Sequence, residues 1–77
     1  MNKDLKPNID KIDLNGCNVQ MQFGSSITLT VDKNGKDIVE QYDSKGIAEM
    51  RKRFNKGGGN YIEDRIKVFV NALNAVE

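Results

Sequence analysis

The stretch from Asn60 to Glu77 constrains the fold of this chain more than any other. Ile62, Ile66, Phe69, Val70, Leu73 and Val76 recur at the i, i+4, i+7, i+8, i+11 and i+14 spacing of a single helical face. Asn60 stands where an N-cap is needed, and Glu63 three residues on can reach back to the Asn60 N–H, completing a capping box with Asn in the Ser/Thr place. The apolar stripe has no partner within its own helix. The rest of the chain must therefore supply a sheet or a second helix for it to cover.

The upstream residues change period from helical to alternating. Asn15-Gly16 is a strong signal for a two-residue type I′ hairpin, and pairing Leu14 with Cys17 sets Ile12 opposite Val19. These four then share a face with Met21 and Phe23, while Lys11, Asp13, Asn18, Gln20 and Gln22 take the other. Ile27, Leu29 and Val31 alternate with Thr28 and Thr30 in a further strand. A three-residue loop, Gly24 to Ser26, sets Phe23 opposite Ile27, Met21 opposite Leu29 and Val19 opposite Val31, whereas a two-residue turn would flip the strand. Asn34-Gly35 turns the chain into Asp37 to Tyr42, where Ile38 and Val39 are adjacent and either one can face inward.

Asp43 or Ser44 can cap a short helix whose Ile47, Met50 and Phe54 follow helical spacing, with Gly46 weakening its first turn. Gly57 to Gly59 ends that helix. The expected fold is α+β: a four-stranded antiparallel meander with two C-terminal helices on one face (ββββαα), a single domain over residues 9–77 after a mobile lead-in at residues 1–8.

Composition narrows the chemistry. At 77 residues a lone core leaves little net stability, which keeps a monomer or a small homo-oligomer open. Twelve basic and eleven acidic residues give a formal charge of +1, which favours neither nucleic acid nor membrane. With no His and one Cys there is no convincing zinc ligand set, no disulfide and no Ser-His pair, so no metal, cofactor or catalytic residue is assigned and no enzyme is expected. No apolar run is long enough for a membrane helix, and a soluble cytoplasmic protein is expected.

Two surfaces are candidates for binding. Residues 45–56 hold five of the basic residues and only one acid, Glu49. Arg51, Lys52, Arg53 and Lys56 run into Gly57 to Gly59 and the start of the last helix at Asn60, so backbone N–H groups around Gly58 could hold phosphate or another anion. The stretch lacks the Gly-Lys-Ser/Thr of a P-loop, and it reads first as a solvated helix face followed by a connector. The second surface is the outward sheet face, where Gln20, Gln22, Thr28 and Thr30 make an uncharged amide and hydroxyl plane, fit either for a protein partner or for water.

Asn18-Val19, the Asn34-Gly35-Lys36 turn, Tyr42-Asp43-Ser44, Phe54 near the glycines at 57–59, and Arg65-Ile66 with Asn71 together span most of the chain. In this order they resemble a family of small phage-encoded anti-CRISPR proteins, the compact four-strand, two-helix inhibitors of type I-F surveillance complexes. The resemblance implies a non-enzymatic inhibitor, phage or mobile-element encoded, that works in the cytoplasm of a bacterial host. It would bind a host protein or ribonucleoprotein complex and obstruct its nucleic-acid-binding surface. In that family tyrosines and an acidic residue near the sheet carry the contact. Asp32 can take the acidic place here, while Gln22 and Phe23 stand where a tyrosine is expected. The alternative is a nucleic-acid or nucleotide-binding module that uses the basic helix and glycine loop.

Overall fold

A computed structural model describes residues 5–75. Three strands, β1 (Asn18–Phe23), β2 (Ile27–Lys33) and β3 (Lys36–Tyr42), form an antiparallel sheet in the order β1-β2-β3. Two helices follow, α1 (Ser44–Asn55) and α2 (Tyr61–Ala75). Phe23 pairs with Ile27, Met21 with Leu29 and Val19 with Val31, so the three-residue loop holds. Asn34 and Gly35 turn at φ 54° and 82°, the doubly left-handed backbone of a type I′ turn, and Lys33 pairs with Lys36 across it.

The expected fourth strand is not part of this sheet. Asn15 and Gly16 do turn, at φ 48° and 86°, and the Cys17 N–H donates to the Leu14 carbonyl at 2.9 Å. Upstream of the turn, however, Ile9–Lys11 wind into a short 3-10 helix. Asn8 is its cap, accepting the Asp10 N–H at 3.2 Å, and the Asp13 carboxylate accepts the Asn15 N–H at 3.1 Å. These local side-chain acceptors take donors that a β-ladder would have used. The apolar residues of the segment still reach the core: Ile12 and Cys17 are buried and Leu14 is partly so.

The segment expected as a lead-in contributes as well. Residues 1–4 lie outside the described residues, but Leu5 is 1% exposed and Pro7 is buried. Three hydrogen bonds fasten this segment and the Asn60 cap to the start of α2. The Asn60 side chain donates to the Leu5 carbonyl at 3.0 Å, the Asn60 Oδ1 accepts the Glu63 N–H at 3.1 Å, and the Asn8 N–H donates to Glu63 Oε2 at 2.8 Å. Asn60 therefore caps α2 as its type predicts, while the Glu63 carboxylate serves Asn8 rather than Asn60.

The core lies between the sheet and a layer made of α2, α1 and the N-terminal segment. Ile27, Leu29 and Val31 of β2 are fully buried under Ile62, Ile66, Phe69, Val70 and Leu73 of α2. Val76 lies outside the described residues. α2 runs over β2 and reaches β3, and α1 touches both β3 and α2. Ile47 and Met50 of α1 are buried, but Phe54 is 42% exposed. In that last turn it is Arg53 that turns toward α2, pairing with Asp64.

Candidate functional site

The outward sheet face is laid out by the register. Three cross-strand rows run over it: Gln22, Thr28 and Gln41; Gln20, Thr30 and Val39; Asn18, Asp32 and Asp37. All five residues expected there, Gln20, Gln22, Thr28, Thr30 and Asp32, thus share one side of the sheet. Val31 pairs with Ile38, so Ile38 faces the core and Val39 faces out, 56% exposed, in the middle row. Tyr42, opposite Ile27, also faces inward. The first two rows hold amides, hydroxyls and one valine, with the Gln41 side-chain amide donating to Thr28 Oγ1 at 3.3 Å. The third row sets Asp32 directly across from Asp37, two like charges at a spacing where they repel.

The basic segment is arranged differently. The Gly57 N–H donates to the Phe54 carbonyl at 3.1 Å and the Gly58 N–H to the Arg53 carbonyl at 2.9 Å, with Gly57 at φ 84°. This is the Schellman closure of α1, in which two glycine N–H groups satisfy the helix's own last carbonyls. A Cβ at Gly58 would stand 2.7 Å from Arg53 Cγ and 3.0 Å from the Arg53 carbonyl oxygen, so close approach explains glycine there. The Arg53 guanidinium pairs with Asp64 and lies 5.4 Å from the Tyr61 ring centroid. Lys52 is 3.9 Å from Glu49, with both side chains mostly exposed. Glu63 and Asp64 occupy the first turn of α2, where their charge already complements the helix dipole. Of the residues expected at an anion site, Arg53 is paired with Asp64 through one guanidinium nitrogen, the Gly58 N–H and the Asn60 side-chain amide donate within the fold, and Lys56 is exposed.

A third feature lies in the corner between β3, α1 and α2. A cleft of about 590 Å³ is lined by Glu40, Gln41, Tyr42, Gly46, Glu49, Met50, Arg53 and Tyr61. Because Glu40 pairs with Leu29, it lies on the helix-covered face. There it accepts both Arg65 Nε at 3.0 Å and Arg65 Nη2 at 3.1 Å, together with the Tyr42 hydroxyl. Tyr42 meets Tyr61 edge-on with ring centroids 6.2 Å apart, and the Arg65 guanidinium lies 4.9 Å from the Phe69 centroid. Burial alone would raise the Glu40 carboxyl, but Arg65 and the Tyr42 hydroxyl outweigh it and hold the group below the ordinary glutamate range. Burial, then the adjacent Glu40 carboxylate, push the Tyr42 phenol far above its usual value. The hydrogen bond to Glu40 raises Arg65 further. Glu40 and Arg65 are thereby held charged and Tyr42 is held neutral, so the cluster fixes the orientation of its side chains. Sequence reasoning passed over it, although two signals were present: Ile38, Glu40 and Tyr42 at period two, and Tyr61, Arg65 and Phe69 along one flank of a helix.

Among the described residues no group of three or more His, Cys, Asp or Glu is placed to hold a metal ion, and no helix is long and apolar enough to cross a membrane. Cys17 is buried, with its sulfur 3.8 Å from the Asn74 side-chain nitrogen. No family model, no curated protein and no solved structure matches the chain.

Proposed function

We propose that this chain is a small non-enzymatic binding protein that sets its open sheet face against a cationic surface of a larger host assembly and so blocks it. The supporting observation is the face itself: uncharged over two rows, with Thr30 at its centre and an exposed Val39 at the end of the middle row, and closed at one end by Asp32 opposite Asp37. Asp32 and Asp37 are cross-strand partners, and like charges directly opposite one another disfavour the free protein. A partner's Lys or Arg relieves that repulsion, and the surfaces that bind nucleic acid are the ones rich in those residues. The resemblance to the type I-F inhibitors nominates the nucleic-acid-binding surface of a CRISPR surveillance complex as the partner, in a bacterial cytoplasm.

The test is binding to purified type I-F surveillance complex, and separately to duplex DNA, at two salt concentrations. Gln20→Lys, Thr30→Lys and Asp32→Lys keep side chains that point to water, so the fold should persist. Each places a cation against a cationic partner and should weaken binding by roughly a hundredfold or more. Neutralising Arg51, Lys52 and Arg53 together should change it little. Sheet variants that bind the complex with wild-type affinity would refute the proposed interface. DNA binding that is lost only in the triple variant would point to the basic helix instead.

A further inference from the structure

The two edges of the sheet are built differently. β3 carries Lys36, Asp37 and Glu40, and charge along an edge discourages pairing with another chain. β1, Asn-Val-Gln-Met-Gln-Phe, has no charge and no proline, and its register against β2 runs without a bulge. Among the described residues no strand pairs with its outer side. Its inward residues are less covered than their partners on β2: Val19 and Met21 are only partly buried and Phe23 is 41% exposed, while Val31, Leu29 and Ile27 are fully buried.

The hydrogen-bond phase says which backbone groups are available. The Gly24 N–H donates to the Ser26 carbonyl at 3.0 Å, continuing the ladder that joins Gln22 to Thr28 and Gln20 to Thr30. Bonding alternates along an antiparallel strand, so the even-numbered residues of β1 turn their backbone groups to β2, and Val19, Met21 and Phe23 turn theirs to the open edge.

We propose that two copies of this chain pair antiparallel through β1, with Met21 on the two-fold axis, joining two three-stranded sheets into one. A second copy suits this edge because the symmetry matches like with like. On the inner side Met21 meets Met21 of the second copy and Val19 meets Phe23 of the second copy; on the outer side Gln20 meets Gln22 of the second copy. Every pair is apolar with apolar or amide with amide, no charge faces a charge, and Val19, Met21 and Phe23 all use their free N–H and C=O groups. The pairing gives Phe23 the cover it lacks within one copy. It leaves the outward face open on both copies and does not depend on which partner that face binds.

Sedimentation equilibrium from about 10 µM to about 1 mM tests this, because a dimer forms by mass action. The expected mass moves from 8.7 kDa toward twice that value. Phe23→Lys should return the protein to a monomer, since it sets a cation against the second copy's Val19, while Val39→Lys on the opposite edge strand should leave the dimer intact. An 8.7 kDa species at every concentration would overturn the proposal, as would a dimer indifferent to Phe23→Lys. Amide exchange on the unmodified protein decides the matter even if that variant unfolds. Protection of the Val19, Met21 and Phe23 amides should rise at least roughly tenfold across the same concentration range. Protection that does not change with concentration would refute the pairing.

Discussion

Leu5→Ala isolates the contribution of a segment with no regular pattern. The side chain is 1% exposed and belongs to the same core as Ile62, Ile66 and Leu73, and its carbonyl accepts the Asn60 side chain that caps α2. Replacing isobutyl by methyl removes three carbons from that core, a transfer loss of about 2.4 kcal/mol at about 0.8 kcal/mol each. The cavity left behind brings the total to about 3–5 kcal/mol. A chain of this length has roughly 4–12 kcal/mol to lose. The variant should therefore show a fall in melting temperature of roughly 12–40 °C, or no cooperative transition at all. Urea unfolding followed by far-UV circular dichroism measures the change, with Lys6→Ala as the control. Lys6 is exposed, so its truncation should stay within about 0.5 kcal/mol of the parent. If Leu5→Ala matched that control, the segment would be a passenger and the docking of Leu5 under α2 would be wrong.

Gly58→Ala should destabilise by about 1–3 kcal/mol, because its Cβ meets the fixed Arg53 carbonyl oxygen at 3.0 Å; an unchanged denaturation midpoint would contradict the tight closure of α1. Gly46→Ala should do the reverse and add about 0.5–1 kcal/mol, since its nearest neighbours, Asp43 Oδ1 at 3.5 Å and Tyr42 Cβ at 3.7 Å, leave room for a methyl group in a helix. The raised Tyr42 phenol predicts an alkaline limb. Above its ordinary value of 10.0 the unfolded chain ionises while the folded one keeps its proton, so stability falls as pH rises, by at most about 1.4 kcal/mol per pH unit. Tyr42→Phe should lack that part of the slope, and equal slopes in the two proteins would refute the assignment. At the acid end the sign is opposite: Glu40 titrates lower when folded, so its contribution is present above its ordinary value of 4.5 and is lost as pH falls through the depressed one. Glu40→Gln should be less stable at neutral pH and lose less on acidification, and a parallel acid limb would count against the Glu40–Arg65 pairing.

The strand register was legible because two independent constraints agree on it. Val19, Met21 and Phe23 must share a face with Ile27, Leu29 and Val31, and only an odd loop length achieves that, so the pairing Phe23 to Ile27 follows before any coordinate is known. The absent fourth strand shows where such agreement misleads. Asn15-Gly16 turns as its residues demand, yet what precedes it is decided by Asn8 and Asp13, whose short side chains bond to backbone two residues away. A pattern of alternating apolar residues cannot weigh that competition. Leu5 was invisible for another reason: a single leucine among polar residues has no period, and its place in the core shows only in the fold, where its carbonyl is held by Asn60, 55 positions on, and its side chain joins the cluster that includes the buried face of α2.

The candidate face was legible as the complement of the core, but its charge was not. Ile38 and Val39 are adjacent, so β3 alone reads equally well in either phase; pairing with β2 selects the one that sends Ile38 inward and Val39 outward. That choice carries Glu40 inward to Arg65 and sets Asp37 outward beside Asp32. The one basic segment visible in the sequence undergoes the opposite fate, with Arg53 drawn against Asp64 and the glycine N–H groups of 57 and 58 closing α1. A chain of formal charge +1 thereby leaves two acidic residues opposite one another at the end of its open sheet. The sign of a binding face is thus a property of strand phase: shifting β3 by one residue would place Glu40 and Tyr42 outside and bury Val39 and Asp37, with no change in composition.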